Sequence, residues 1–279
     1  MDCLSSHLRT EVPLDHKPRT QRNPWTPKIL PETETSHVRT RGDDYLDWYA
    51  LMTFYSGKQL SFPEDKLPAV SGLAHKMLQT HNDTYLAGLW KGDLCRGLMW
   101  WPMNNIRAAE YTTYVAPSWS WAAHNGGVTW ASQGPTGFRQ EMELLDVVVS
   151  PSGADPHGRL QSGYLDVVAK TLPWRDMFDG PLVYTAYMAE EGGRKSGPRA
   201  QVRHDSIKFG WSTADNVLAL RVGTTQLGEG LQTASGLLVQ TVPPTDQVAH
   251  GASKWRRVGW FKCDSSKFTS AIGKTFVLV

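Results

Sequence analysis

Met142-Glu143-Leu144-Leu145-Asp146-Val147-Val148-Val149-Ser150, followed after a loop of Pro, Ser, Gly and Asp by Arg159-Leu160-Gln161-Ser162-Gly163-Tyr164-Leu165-Asp166-Val167-Val168-Ala169-Lys170, is the stretch that decides the fold class. Two runs rich in β-branched residues and bounded by turn formers read as strands. The same texture continues at Leu182–Met188, Gln201–Phe209, Val217–Val222, Gly236–Val242, Trp255–Lys262 and Lys274–Val279. Before it, Pro117–Ala123 and Gly127–Ala131 flank His124-Asn125-Gly126, a sequence of the kind that closes hairpins. About ten short strands without intervening helices predict an antiparallel β-barrel or β-sandwich.

Upstream the apolar period changes to that of helices. Tyr45, Trp48, Tyr49, Met52 and Tyr55 recur at helical spacing behind Asp43 and Asp44, and Gly57 ends the run. A second helix is expected from Asp65, with Pro68 in its first turn and Val70, Leu73, Ala74, Met77 and Leu78 as its buried stripe. A third runs from Asp93 through Trp100 and stops before Pro102. Residues 1–41 are polar, without an apolar period, and read as a disordered lead-in. The expected architecture is α+β: a small helical subdomain over 42–101 packed on a β-rich domain over 102–279.

Composition limits the function classes. With 40% hydrophobic and 20% charged residues the chain is globular. A net charge of +2, with its densest basic patch no larger than Lys254, Arg256 and Arg257, argues against nucleic acid as a partner. No run reaches the roughly 18 apolar residues of a membrane helix, and no secretory leader is visible in Met1–Arg41. Cys3, Cys95 and Cys263 are odd in number and far apart, which fits a reducing compartment; the expectation is a cytoplasmic protein. Nine dispersed histidines without Cys-x-x-Cys or His-x-x-x-His predict no metal, and no phosphate-cradling glycine motif points to a cofactor. Gly210-Trp211-Ser212-Thr213-Ala214 lacks the second glycine of a nucleophile elbow.

Five motifs fall in an order that resembles a known family. They are the aromatic helix, Asp65-Lys66-Leu67-Pro68-Ala69-Val70-Ser71-Gly72-Leu73-Ala74, Tyr85-Leu86-Ala87-Gly88-Leu89-Trp90 with Asp93-Leu94, Leu98-Met99-Trp100, and Ala116-Pro117-Ser118-Trp119-Ser120-Trp121-Ala122. This arrangement is similar to the region downstream of the HET domain in heterokaryon-incompatibility proteins of filamentous fungi. Trp255-Arg256-Arg257-Val258-Gly259-Trp260-Phe261 is similar to that family's closing strand. The likeness covers roughly residues 42–279. The HET domain's own strings, Ala-Leu-Ser-Tyr-x-Trp-Gly and Arg-x-Trp-x-x-Gln-Glu, do not occur in Met1–Arg41. The resemblance therefore implies a HET-related protein without the domain held to trigger cell death.

The candidate site is aromatic. On a strand, Trp119 and Trp121 would share one face and Ser118 and Ser120 the other. With Trp100, Trp101 and Trp130 they form either a ligand-binding wall or a ladder sealing helices onto the β-domain, and large aromatics serve packing first. His124 is the one histidine to inspect as an acid or base. Asp65 and Asp93 are expected to cap helices, Asp43, Asp44 and Asp47 to be a solvated first turn, and Arg256 and Arg257 to point to opposite faces of a strand. The leading expectation is a non-catalytic accessory or interaction protein with a protein partner. The alternative is a secondary-metabolism enzyme, a cyclase, isomerase or cycloaddition catalyst, that holds a small apolar metabolite by orientation.

Overall fold

The aromatic period becomes α1, Arg41–Ser56, in the computed structural model of the protein, which describes residues 40–103, 111–130, 137–178, 200–205, 216–228, 231–243 and 253–279. The strand expected over Leu182–Met188, the Gly210–Ala214 motif and the lead-in up to residue 39 lie outside the described residues. The backbone N–H and hydroxyl of Thr40 both donate to the Asp43 carboxylate, at 2.7 and 2.9 Å, which pins the start of α1 two residues ahead of the expected one. Gly57 follows its last turn, and Tyr45, Trp48, Tyr49 and Met52 form its buried face.

The second helix, α2 (Pro68–Thr80), begins on the proline itself, where the missing N–H costs nothing. Asp65 lies in the 3₁₀ turn before it. Only Val70 and Ala74 of the expected stripe are buried, and Leu73 is exposed. The hairpin that follows, β1 (Tyr85–Leu86) with β2 (Leu89–Trp90), is too short to show in a hydrophobic pattern. Its two turn residues, Ala87 at φ 50° and Gly88 at φ 93°, both take the left-handed conformation that a tight hairpin turn demands. The third helix, α3, is one turn, Leu94–Gly97. Trp100 does not end it but opens β3 (Trp100–Pro102), which pairs with β4 (Val128–Trp130).

The segment expected as the partner of β4 is not a strand. Pro117–Ser120 is a turn, and Trp121–Ala123 is a 3₁₀ helix that Ser120 caps, its Oγ accepting from the Ala122 N–H at 3.0 Å. A serine that bonds its own backbone two residues on competes with strand formation, and here it wins. Both serine hydroxyls are engaged, Ser120 buried and Ser118 half-buried. The Ser120 hydroxyl donates to Ala87 O at 2.6 Å, while Ser118 Oγ bonds Val279 O and accepts from the Arg257 N–H at 2.9 Å.

The remaining strands, β5 (Phe138–Gln140), β6 (Glu143–Pro151), β7 (Leu160–Pro173), β8 (Gln201–His204), β9 (Val217–Gly228), β10 (Leu231–Thr241), β11 (Lys254–Asp264) and β12 (Ile272–Leu278), make one eight-stranded sheet. Its order is β5-β9-β10-β11-β12-β7-β6, with β8 on β11. A further pairing of β7 with β9, at Thr171↔Leu220 to Pro173↔Leu218, makes the path β9-β10-β11-β12-β7 return on itself. All pairs are antiparallel except β11 with β12, which is parallel. Alternation along β10 sends Leu237 and Val239 into one apolar cluster and Ala234 and Leu238 into another. The first cluster also takes in Trp48, Met52, Trp90, Trp100, Trp119 and Phe276, so helices and sheet share a core that runs unbroken through residues 98–102. No helix among the described residues is long and apolar enough to cross a membrane.

Trp119 and Trp121 are both 0% exposed, and only Trp121 donates its indole N–H, to Gly88 O at 2.9 Å. Trp119→Ala should therefore cost about 3–5 kcal/mol through the cavity it leaves. Trp119→Phe should cost far less, because the Trp119 N–H has no partner among the described residues. Ser120→Ala should cost about 1–3 kcal/mol, since it leaves the buried Ala122 N–H unbonded. Urea unfolding of the three variants measures this ranking.

Candidate functional site

The tryptophans singled out in the sequence converge around the β1–β2 turn and β3. Trp48 and Trp121 both donate to Gly88 O, at 3.0 and 2.9 Å, while Ser120 holds the neighbouring Ala87 O. Glycine is required at position 88, because a Cβ there would stand 2.4 Å from the Trp121 indole nitrogen. Trp100 donates to Trp119 O at 3.1 Å, and Trp130 donates to Gly97 O at 2.8 Å while stacking on Tyr49. Trp100, Trp119, Trp121 and Trp130 are all buried. Trp101 is half-buried and lies against Trp260, ring centroids 5.0 Å apart.

Beside these rings sits a group of buried ionisable side chains that the sequence did not single out as a unit. On β11 the register slips between Leu238↔Gly259 and Val239↔Arg257, so Val258 is bulged. The bulged carbonyl accepts from the Asp205 N–H at 3.0 Å, which brings Asp205 alongside Arg257. The guanidinium then donates to Asp205 at 2.8 Å, to Leu98 O at 2.7 Å and to Trp100 O at 2.5 Å, with its face 3.3 Å from the Trp100 ring centre. Burial pushes the Asp205 carboxyl up, and the arginine opposes that push. Its neighbour Arg256 is exposed and donates to Gln240, so the two arginines do leave the strand on opposite sides.

Lys66 completes the group. It is buried, donates to His124 O at 2.6 Å, reaches the Tyr111 hydroxyl at 3.5 Å and lies over the Trp121 ring. Burial lowers its ammonium to about 8. His124 is buried between Lys66 and Arg257, and burial first, then those two cations, lowers its imidazole to about 4. At neutral pH it is uncharged. It packs in the core beside the Trp100 ring, and nothing in the sequence around it announces that burial.

Asp93 does stand at the N-cap of α3, but its carboxylate makes no cap bond and accepts from the Tyr49 hydroxyl at 2.8 Å, while Asp65 lies short of α2 and pairs with Arg159 at 2.6 Å. In the acidic turn of α1, Asp44 meets His81 at 3.0 Å, a neighbour 37 positions on that the local sequence could not show. Cys95 and Cys263 are buried free thiols. Among the described residues one set of His and carboxylate donors converges at metal-ligating distance, His75, Asp155 and His157.

No protein-family model, no curated protein and no solved structure matches the chain.

The two shifted bases give a signed pH dependence. Between pH 6.5 and about 4 the unfolded chain protonates His124 and the folded one does not, so stability falls as pH falls through that window. His124→Gln should remove about 3 kcal/mol of that acid sensitivity. Lys66 acts in the same direction at higher pH: the unfolded chain holds the extra proton between about 8 and 10.5, so stability rises with pH there. Lys66→Met should flatten the rise. Thermal melts of both variants across pH 4–10.5 measure the two slopes.

Proposed function

We propose that this chain is a HET-related fungal, cytoplasmic accessory or interaction protein, which acts by binding a protein partner and not by turnover. The motifs from Trp48 to Trp130 and the Trp255–Phe261 strand support the family reading, and within it we take the returning path of strand pairings to be a closed β-barrel. The observation that carries the functional reading is what the candidate site does with its polar atoms. The indoles of Trp100, Trp121 and Trp130, the Lys66 ammonium and the Arg257 guanidinium all bond backbone carbonyls of the chain itself. Groups held in that way brace a core, and they bring nothing to a substrate until those bonds break.

One observation favours a second reading, an enzyme that orients a small apolar metabolite for cyclisation, isomerisation or cycloaddition. Lys66, with its amine lowered to about 8, faces the half-buried Tyr111 hydroxyl beside the Trp121 ring. An amine with that shift is partly neutral at physiological pH and surrounded by aromatic surface.

The two readings separate in one preparation. Tagged full chain is purified from a filamentous fungal host, and its eluate is examined for a stoichiometric protein partner. The same material is incubated with the host's metabolite extract under mass spectrometry. A stoichiometric partner with an unchanged extract is the expected result. Time-dependent, mass-neutral conversion of a metabolite, lost in Lys66→Met, would overturn the binding reading in favour of the enzyme.

A further inference from the structure

Asp155-Pro156-His157-Gly158 is the tip of the β6–β7 connection, and its order is that of a type I turn, with Asp first, Pro second and Gly last. The turn is closed by Gly158 N–H on Asp155 O at 3.2 Å, and the Asp155 carboxylate accepts from the His157 N–H at 2.9 Å. Outside it, Ser152 N–H bonds Arg159 O at 2.9 Å. The turn is thus built to hold the Asp155 and His157 side chains in fixed relation.

It sets them against α2. His75, exposed on that helix, brings its Nδ1 to 3.3 Å from Nδ1 of His157, across 82 residues of sequence. The donor atoms of His75, Asp155 and His157 all lie within 4.8 Å of one another. Neighbouring groups hold the arrangement. Tyr85 packs edge-on against the His157 ring, and Arg159 clamps Asp65 at 2.6 Å just beyond the turn.

Two ring nitrogens turned toward each other need something between them. A shared proton serves, but 3.3 Å is long for it. Two imidazoles bound to a tetrahedral ion with bonds of about 2.0–2.1 Å sit about 3.3 Å apart. Two imidazoles with one carboxylate select a borderline divalent transition ion over the hard, oxygen-seeking magnesium and calcium. Exposure of His75 leaves an entry path and a fourth position for water, the arrangement of three protein ligands plus one open site.

We propose that His75, Asp155 and His157 form a binding site for a divalent transition-metal ion of the zinc class, which fastens the β6–β7 turn to α2.

The test uses full-length chain stripped with a chelator and titrated calorimetrically with Zn²⁺, and separately with Mg²⁺. Two variants spare the fold. His75→Ala alters an exposed helix position, and Asp155→Asn keeps an oxygen to accept the His157 N–H. The expected result is one equivalent of Zn²⁺ bound by the parent chain and no Mg²⁺. Each variant should bind zinc at least tenfold more weakly, and zinc should raise the melting temperature of the parent chain but not of His75→Ala. Equal zinc affinity in parent and His75→Ala, or no binding to the parent at millimolar zinc, would overturn the site.

Discussion

Arg257 is a full charge on a strand, taken out of water and surrounded by the chain's own backbone. Its guanidinium reaches back 159 and 157 residues to the carbonyls of Leu98 and Trp100, where α3 gives way to β3. One half-buried carboxylate, Asp205, faces it, and the bulge at Val258 places both. Removing water from a charge pair costs several kcal/mol, which the pair recovers only if its remaining protons are bonded. Here two carbonyls and an aromatic face supply that. The arrangement contributes little net stability compared with apolar packing, but it admits one register. A slip of β11 by one residue would turn the cation outward and leave two carbonyls without a donor. Much of the geometry on the helical side of the sheet follows from this one side chain being satisfied.

The two halves of that junction were unequally visible beforehand. The alternation of Arg256 and Arg257 follows from strand period alone, and so does an inward charge needing a carboxylate. Which carboxylate was not legible, because Asp205 belongs to a segment with no pattern beyond a short apolar run. Most of the sheet was readable for the same periodic reason: β6, β7, β9, β10, β11 and β12 all fall where apolar runs are bounded by turn formers. The misread element, Pro117–Ala123, alternates Ser and Trp as a strand would. Its serines nevertheless bond locally and to distant carbonyls, and period carries no information about that competition. The β1–β2 hairpin escaped because two-residue strands have no period, although Ala87-Gly88 between apolar pairs was the available signal.

The candidate site shows the same divide. That the tryptophans gather was legible from their clustering, but their partners were not. An indole donating to Gly88 O from either end of the helical part cannot be inferred from spacing. His75 and His157 are the sharper case. Each is unremarkable where it stands, and only the packing of a turn against a helix makes them neighbours. Local motifs reveal sites whose ligands lie on one element, and this group draws on two.

The sheet also has a history in time. Strand β7 lies between β6, its neighbour in sequence, and β12, whose partner residues follow about 100 positions later. On a ribosome, β6 and β7 can pair as soon as they emerge, while the other edge of β7 waits through the synthesis of β8 to β11. A nascent chain at that stage offers one long, unpaired edge to its surroundings, the condition in which strands find the wrong partner. The exposed Lys170 and Lys274, which face the same late pairing as Gly273↔Lys170 and Lys274↔Ala169, place charge on that waiting edge and on the strand that finally covers it. Charge at those two positions is the kind of feature that discourages a foreign strand from pairing there.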